Sequence, residues 1–342
     1  MFSETPRVES FTMRFVQDAP EEGAPRLTHA WHGIIMRVRT NENRAFKNVG
    51  DALTFISQYV DLGDAAHLGS RGIALPSGEL ELEKSARGLE SPLRIQTLGG
   101  FRVWRNGSEV NTAAWNRGKA LQLFQFLVTS RRNPQHKEQI IDQLWPELDA
   151  PAGDRDFRVA LNAIYRALEP ERQARAQSRF VKRYDLAYGL DLEQIWVDAN
   201  AFEQQVALAN QFPTDQLTHA IEHFRAAVEM YAGEYLPERR YEDWSSAERE
   251  RLETLAVATM TILANLLTVS TPLESLRLTQ RALSIDPVWE DAYRVQMRAY
   301  LQLGNRPLAL RTFQKCGEVL EREFGIQPLP ETRALHEQIK RE

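Results

Sequence analysis

Four polar side chains recur at helical spacing in the stretch PAGDRDFRVALNAIYRALEP, residues 151–170: Arg155, Arg158, Asn162 and Arg166. With an advance of about 100° per residue they fall within an arc of about 80° on the helical wheel. Phe157, Ala160, Leu161, Ile164 and Leu168 fall on the opposite side, Val159 joins the polar face, and Tyr165 flanks it. A guanidinium fork suits guanine O6 and N7 or a phosphate; a carboxamide suits adenine N6 and N7. Val159 offers an apolar contact for a thymine methyl. The chemistry on offer is therefore the reading of a DNA groove. The same pattern also fits the solvated face of a surface helix, and Asp154 and Asp156 near its start suit the helix dipole but repel phosphate.

The neighbouring elements bear on that choice. LRIQTLGGFRVWRNGSEV (93–110) alternates apolar residues around an Asn106–Gly107 turn and predicts strands. RGKALQLFQFLVTS (117–130) puts Leu121, Phe124, Leu127 and Val128 on one helical face, and HKEQIIDQLWP (136–146) is a short helix stopping before Pro146. Asp149 is a candidate N-cap for the helix 150–168, with Pro151 just inside it. SRFVKRYD (178–185) and AYGLD (187–191) predict a hairpin. Strands, three helices and a basic hairpin are the winged-helix plan. Arg179, Lys182 and Arg183 on the hairpin would reach an adjacent minor groove or backbone. Arg117 and Lys119 open the first helix, where backbone amides also favour phosphate.

Charge is distributed accordingly. Residues 1–91 carry 10 Lys/Arg and 13 Asp/Glu, residues 92–190 carry 16 and 10, and residues 191–342 carry 16 and 24. A basic middle between acidic ends is what a central nucleic-acid module produces, although the chain as a whole has net charge -5.

On either side lie two further regions. SFTMRFVQ (10–17) and WHGIIMRVR (31–39) predict strands, NENR (41–44) a turn, and NVGDALTFISQYVDL (48–62) a helix, so residues 1–62 read as a small α+β unit. Residues 63–91 are rich in Gly, Ser, Ala and Glu and read as a linker. Beyond residue 198 the chain is helical, with segments at 200–210, 215–232, 244–268, 273–284, 288–303, 306–323 and 331–341. Tyr300, Leu303, Gly304, Ala309 and Phe313 are spaced as in a divergent tetratricopeptide helix pair. The expected fold is mainly α and multi-domain: an α+β unit 1–62, a linker, a winged helix 92–197 and a TPR-like domain 198–342.

Several matches carry a resemblance: LGGFRVWRNGSEV (98–110), RGKALQLFQFLV (117–128), KEQIIDQLWPELD (137–149), RVALNAIYRALE (158–169), VDANAFEQ (197–204), AVEMYAGEYLPE (227–238) and the stretches 282–316 and 321–339. Residues 92–342 resemble the Streptomyces antibiotic regulatory protein (SARP) type of bacterial transcriptional regulator. That resemblance implies a response-regulator-type winged helix joined to a helical bacterial transcriptional activation domain. It places Arg158 and Asn162 at base- or phosphate-facing positions and Arg166 on the same face. It implies double-stranded DNA as a partner, with RNA polymerase or a second copy of the chain as protein partners. The chain departs from the family at Tyr165, where relatives usually carry Arg, and in its wing, KRYDLAYGL in place of a tight Gly-Tyr hairpin.

Other chemistry has little footing. Gly-rich nucleotide loops are absent, so no cofactor and no enzyme activity are expected. Cys316 is the only cysteine, and His29 and His32 lack further metal-ligand partners. EDWSSAERER (242–251) reads as a solvated, ion-paired face, and Trp104, Trp115 and Trp145 as core. With neither a signal peptide nor an 18-residue apolar run, a cytoplasmic protein away from the membrane is expected. The rival to a DNA-binding regulator is a protein-interaction adaptor whose winged helix no longer binds DNA.

Overall fold

The computed structural model describes residues 11–17, 31–37, 43–46, 88, 91–111, 115, 118–173, 175–213 and 216–341. The helix expected at 48–62, nearly all of the linker 63–91, His29 and Arg117 lie outside them. The chain divides into two compact units, Met1–Pro76 and Ser77–Glu342.

In the first unit, β1 (Phe11–Gln17), β2 (Trp31–Arg37) and β3 (Asn43–Phe46) form an antiparallel sheet in that order. Phe11 pairs with Arg37 and Gln17 with Trp31. The turn expected at 41–44 gives way at Asn43 to the third strand, whose Asn43–Phe46 backbone pairs with Gly33–Met36.

The second unit begins with β4 (Leu93–Gln96), β5 (Arg102–Arg105) and β6 (Ser108–Glu109). Asn106 and Gly107 have φ of 48° and 79° between the paired residues Arg105 and Ser108. Two positive φ values in a two-residue loop define a type I′ turn, which matches strand twist and explains the Asn-Gly pair. Then come α1 (Gly118–Thr129), β7 (Gln135–His136), α2 (Lys137–Leu144), α3 (Ala150–Leu168), β8 (Val181–Tyr184), β9 (Ala187–Leu190) and β10 (Ile195–Val197). This is a winged helix. β8 and β9 make the wing, β7 ties it to the start of α2, and β10 adds to β4 in parallel. Neither β7 nor β10 is visible in the sequence, because two or three residues show no alternation and their partners are remote.

The remaining elements are α4 (Asp198–Ala209), α5 (Leu217–Met230), a 3₁₀ turn at Pro237–Arg239, α6 (Asp243–Leu267), α7 (Pro272–Ile285), α8 (Glu290–Gln302), α9 (Arg306–Phe324) and α10 (Pro330–Arg341). Consecutive helices pack on one another in TPR-like fashion, α4 with α5 and each of α6 to α9 with the next. Ala264, Ala282, Ala292, Ala299 and Ala309 are fully buried at those contacts, where small side chains let helices approach. Gly304 at φ 70° and the Asn305 side chain, which accepts from the Leu308 amide, turn α8 into α9.

One carboxylate holds the two domains of this unit together. Asp198, the first residue of α4, is 4% exposed. It accepts hydrogen bonds from the Thr97 amide at 2.8 Å and hydroxyl at 2.6 Å, from the Leu98 amide at 2.9 Å and from the Ala199 amide at 2.8 Å. Around it, the Gly99 amide donates to Glu234 O and the Leu236 amide to Thr97 O, so residues 97–99 are zipped to residues 234–236. A side chain at Gly99, at φ 81°, would be strained, and its Cβ would crowd the Ala232 backbone at 3.2 Å.

A second seam runs from the end of α1. The Arg131 side chain has no exposure; its Nε donates to Asn200 at 2.6 Å and its Nη2 meets Glu248 at 2.8 Å. Arg251 bridges Glu248 and Glu203. Gln125 donates to Glu238 and accepts from Arg239, Tyr235 and Thr129 share a hydroxyl hydrogen bond, and Phe126 meets Trp244 edge-on at 5.7 Å. Residues 242–251 are ion-paired but only partly solvated: Asp243, Ser246, Ala247 and Glu250 are exposed, whereas Glu248 pairs with buried Arg131 of the winged helix and Ser245 is fully buried. Trp115 and Trp145 are core, but Trp104 is only half-buried: it lies on the outer sheet face, with the Arg94 guanidinium between it and Trp196 at 4.9 and 5.0 Å.

Two consequences are measurable. Asp198→Ala strands three backbone donors, each costing about 1–3 kcal/mol; urea unfolding should show a loss of roughly 3 kcal/mol or more, and a loss under about 1 kcal/mol would contradict the assignment. Burial pushes the Glu248 carboxyl up, but the Arg251 and Arg131 guanidinium groups more than offset it and hold it below the usual glutamate range. A depressed folded-state value contributes stability that is complete above the unfolded-state value and is lost as pH falls through the folded one. Thermal midpoints of Glu248→Gln should therefore be lower than wild type near pH 7 and fall less steeply toward acid.

Candidate nucleic-acid interface

The helix α3 is built to present one face. Asp149 caps it, its Oδ1 accepting from the Ala152 amide at 2.8 Å, with Pro151 in the first turn. Phe157, Ala160, Leu161, Ile164, Ala167 and Leu168 are buried, and the Phe157 ring meets Tyr188 of β9 edge-on at 5.0 Å. Gly153 lets α2 approach: a Cβ there would lie 2.6 Å from Ile141 Cγ2. The opposite face is open. The Arg155 and Arg158 side chains are each 72% exposed, Asn162 and Arg166 are exposed, and so is Val159. Lys119, Asp156, Val159, Asn162, Ala163 and Arg166 line a shallow groove between α1 and α3.

The cations near the start of α3 are tied to carboxylates. Asp154 receives Lys137 Nζ at 2.6 Å and Arg158 Nη2 at 2.9 Å. Asp156 receives Lys119 Nζ at 2.7 Å and lies 3.4 Å from Arg155 Nε. The Lys137 hydrogen bond, followed by that of Arg158, holds the Asp154 carboxyl below the usual range; Lys119 does the same for Asp156. Lys119 also lies 5.0 Å over the Trp145 ring. Lys137 is a site residue that sequence reasoning missed. It opens α2, seventeen residues before Asp154, and only the folded turn joins them.

The other candidates are placed as follows. Tyr165 is half-buried at the rim of α3, with the Arg172 guanidinium 4.2 Å over its ring, and burial pushes its hydroxyl pKa up. On the wing, Arg179 and Arg183 are exposed, and Arg183 Nε donates to the Asp185 carbonyl at 2.6 Å. Lys182 is half-buried and pairs with Asp191 at 3.3 Å. Asp185, at φ 55°, makes the wing turn, leaving Tyr184 and Leu186 about half exposed at its tip; both were overlooked in the sequence because they sit in an otherwise basic hairpin. Arg117 lies outside the described residues, so α1 contributes Lys119. The structure thus gathers Lys119, Arg155, Arg158, Asn162 and Arg166 on one surface, with Tyr165 at its edge and the wing on the neighbouring hairpin.

Among the described residues no group of three or more His, Cys, Asp or Glu could hold a metal ion, and no helix is long and apolar enough to cross a membrane. Cys316 is buried in α9, which pushes its thiol up to about 12.

Residues 197–340 match the family model described as the bacterial transcriptional activator domain. Among solved structures, the chain is similar to Mycobacterium tuberculosis EmbR in complex with a low affinity phosphopeptide, at 19% identity and a TM-score of 0.64. That likeness covers 73% of this chain and 65% of the other, so the chain spans about two thirds of that protein's length. No curated protein matches.

The cap at α3 carries its own test. Asp149→Ala removes the acceptor for the Ala152 amide and should cost about 1 kcal/mol in chemical unfolding. A variant as stable as wild type would show that Pro151 and the buried face alone set the start of the helix.

Proposed function

We propose that this chain, which carries a bacterial transcriptional activator domain behind a winged helix in the SARP-type order, is a sequence-specific DNA-binding regulator of transcription. One observation carries the reading: Arg155, Arg158, Asn162 and Arg166 stand exposed in one row on a capped helix whose other face is wholly buried. A row of that length suits a major groove, where Arg158 reads guanine or holds phosphate and Asn162 reads adenine. Arg179, Lys182 and Arg183 on the wing take adjacent backbone. The C-terminal helices contact protein, either RNA polymerase or a second copy of the chain on repeated half-sites, and the chain acts as an activator. The reading assigns it no catalysis and no cofactor, and places it in the cytoplasm. The rival, an adaptor without DNA binding, is favoured by one feature: Asp154 and Asp156 neutralise part of the basic face.

Genomic selection with the full chain, followed by mobility shifts of the selected duplex at several salt concentrations, tests the proposal. Affinity should fall with salt, at a logarithmic slope of about 0.9 per phosphate contacted. Arg158→Ala and Asn162→Ala should each cost about 1–3 kcal/mol on the selected site and relax its sequence preference. Lys182→Ala should weaken all duplexes alike. A folded chain that binds no duplex at low salt would leave the adaptor as the better reading.

A further inference from the structure

The recognition face is self-neutralised in an ordered way. Asp154 and Asp156 flank the exposed face of α3, their side chains 33% and 25% exposed against 72% for each arginine they meet. Asp154 joins Lys137 of α2 to Arg158 of α3. Asp156 joins Lys119 of α1 to Arg155 of α3. Each carboxylate therefore links a cation from a different helix to one on the reading helix, and the three helices of the winged helix meet at these two pairs. Helix stability does not require this arrangement. Asp149 already supplies the cap, and an acidic residue in the second turn gains little from the dipole, which fades beyond the first.

Two physical effects follow. A flexible Arg or Lys loses side-chain entropy when it is fixed on DNA, and a carboxylate that has already fixed it removes part of that cost. At the same time, each carboxylate lowers the charge a phosphate meets, and phosphate contact is the sequence-independent share of affinity. The first effect favours a base edge, which asks for one orientation. The second works against bare backbone, which accepts many. Together they widen the gap between the right sequence and any other.

Building on the proposed DNA reading, we infer that Asp154 and Asp156 are specificity-determining positioning residues: they hold Arg158 and Arg155 for base contact and suppress binding to arbitrary duplex. They touch no base themselves. Their effect passes through the cations they hold, and the electrostatic part of it passes through net charge at the face.

The test compares two probes on the full chain: the duplex recovered by genomic selection with wild type, and a random-sequence duplex of equal length. In Asp154→Asn and Asp156→Asn, affinity for the random duplex should rise roughly ten-fold at low salt, with a salt slope steeper by about 0.9 per phosphate newly engaged. Affinity for the selected duplex should rise less, so that the ratio between the two falls several-fold. Asp154→Glu and Asp156→Glu keep the charge and should keep a ratio near wild type, which a purely structural role would not require. The two sites engage separate cation pairs, so either variant carries the test if the other fails to fold by circular dichroism. An unchanged or higher ratio in the Asn variants, with the wild type discriminating normally, overturns this inference alone. A wild type that binds neither duplex overturns it together with the DNA reading beneath it.

Discussion

The Asp198 carboxylate is the constraint on which the rest of the Ser77–Glu342 unit depends. A charge placed out of water must be matched by donors, or its desolvation costs several kcal/mol. Here the matching donors come from both sides of a domain boundary: Thr97 and Leu98 follow the first strand of the winged helix, and Ala199 belongs to the helical domain's first turn. The helix dipole of α4 adds to them. No separation of the two domains satisfies all of these groups, so a hinge at residue 198 is costly. The seam around Arg131 repeats the logic with opposite sign, a buried cation of the winged helix answered by Asn200 and Glu248 of the helical domain. The consequence is mechanical. A displacement of the winged helix is therefore passed to the helical domain that follows it.

This changes how the basic middle of the chain should be counted. Residues 92–190 hold sixteen Lys and Arg, yet several are occupied inside the protein. Arg131 closes the domain seam, Arg105 donates to the Ala167 carbonyl at the end of α3, and Arg94 is held between two indole rings. The arginines of α3 and the wing are exposed instead, although Arg155 and Arg158 also meet carboxylates, as Lys182 does. Charge excess in the sequence overstates the charge available at the surface, because composition does not distinguish a structural guanidinium from a free one.

Much of the architecture was legible because it is local. The helices follow from a 3.6-residue apolar period, the Asn106–Gly107 turn from the φ values it demands, and the α3 cap from one aspartate beside a proline. The exposed row on α3 was legible for the same reason, since one helix fixes the relative positions of Arg155, Arg158, Asn162 and Arg166. What stayed hidden is whatever depends on distant chain meeting. The parallel pairing of β10 joins residues about a hundred apart. Glu248 looked solvated because the buried cation it meets, Arg131, is more than a hundred residues away. Trp104 looked like core because an indole counts as apolar in any pattern, whereas its neighbour across the sheet is Arg94. The Lys137–Asp154 link, likewise, is a product of the α2–α3 turn.

Tyr165 shows how local and distant effects combine at the site. On the wheel it flanks the exposed polar face of α3. In the fold its ring is half-buried and roofed by Arg172, from the loop that follows α3. A positive charge thus stands above the rim of the helix, supplied by a different element. That loop is itself anchored: the Glu169 carboxylate at the end of α3 accepts from the Ser178 hydroxyl and from the Arg179 amide. Glu169 therefore fixes the distance from the last turn of α3 to the first strand of the wing. Helix, roof and wing form one braced surface.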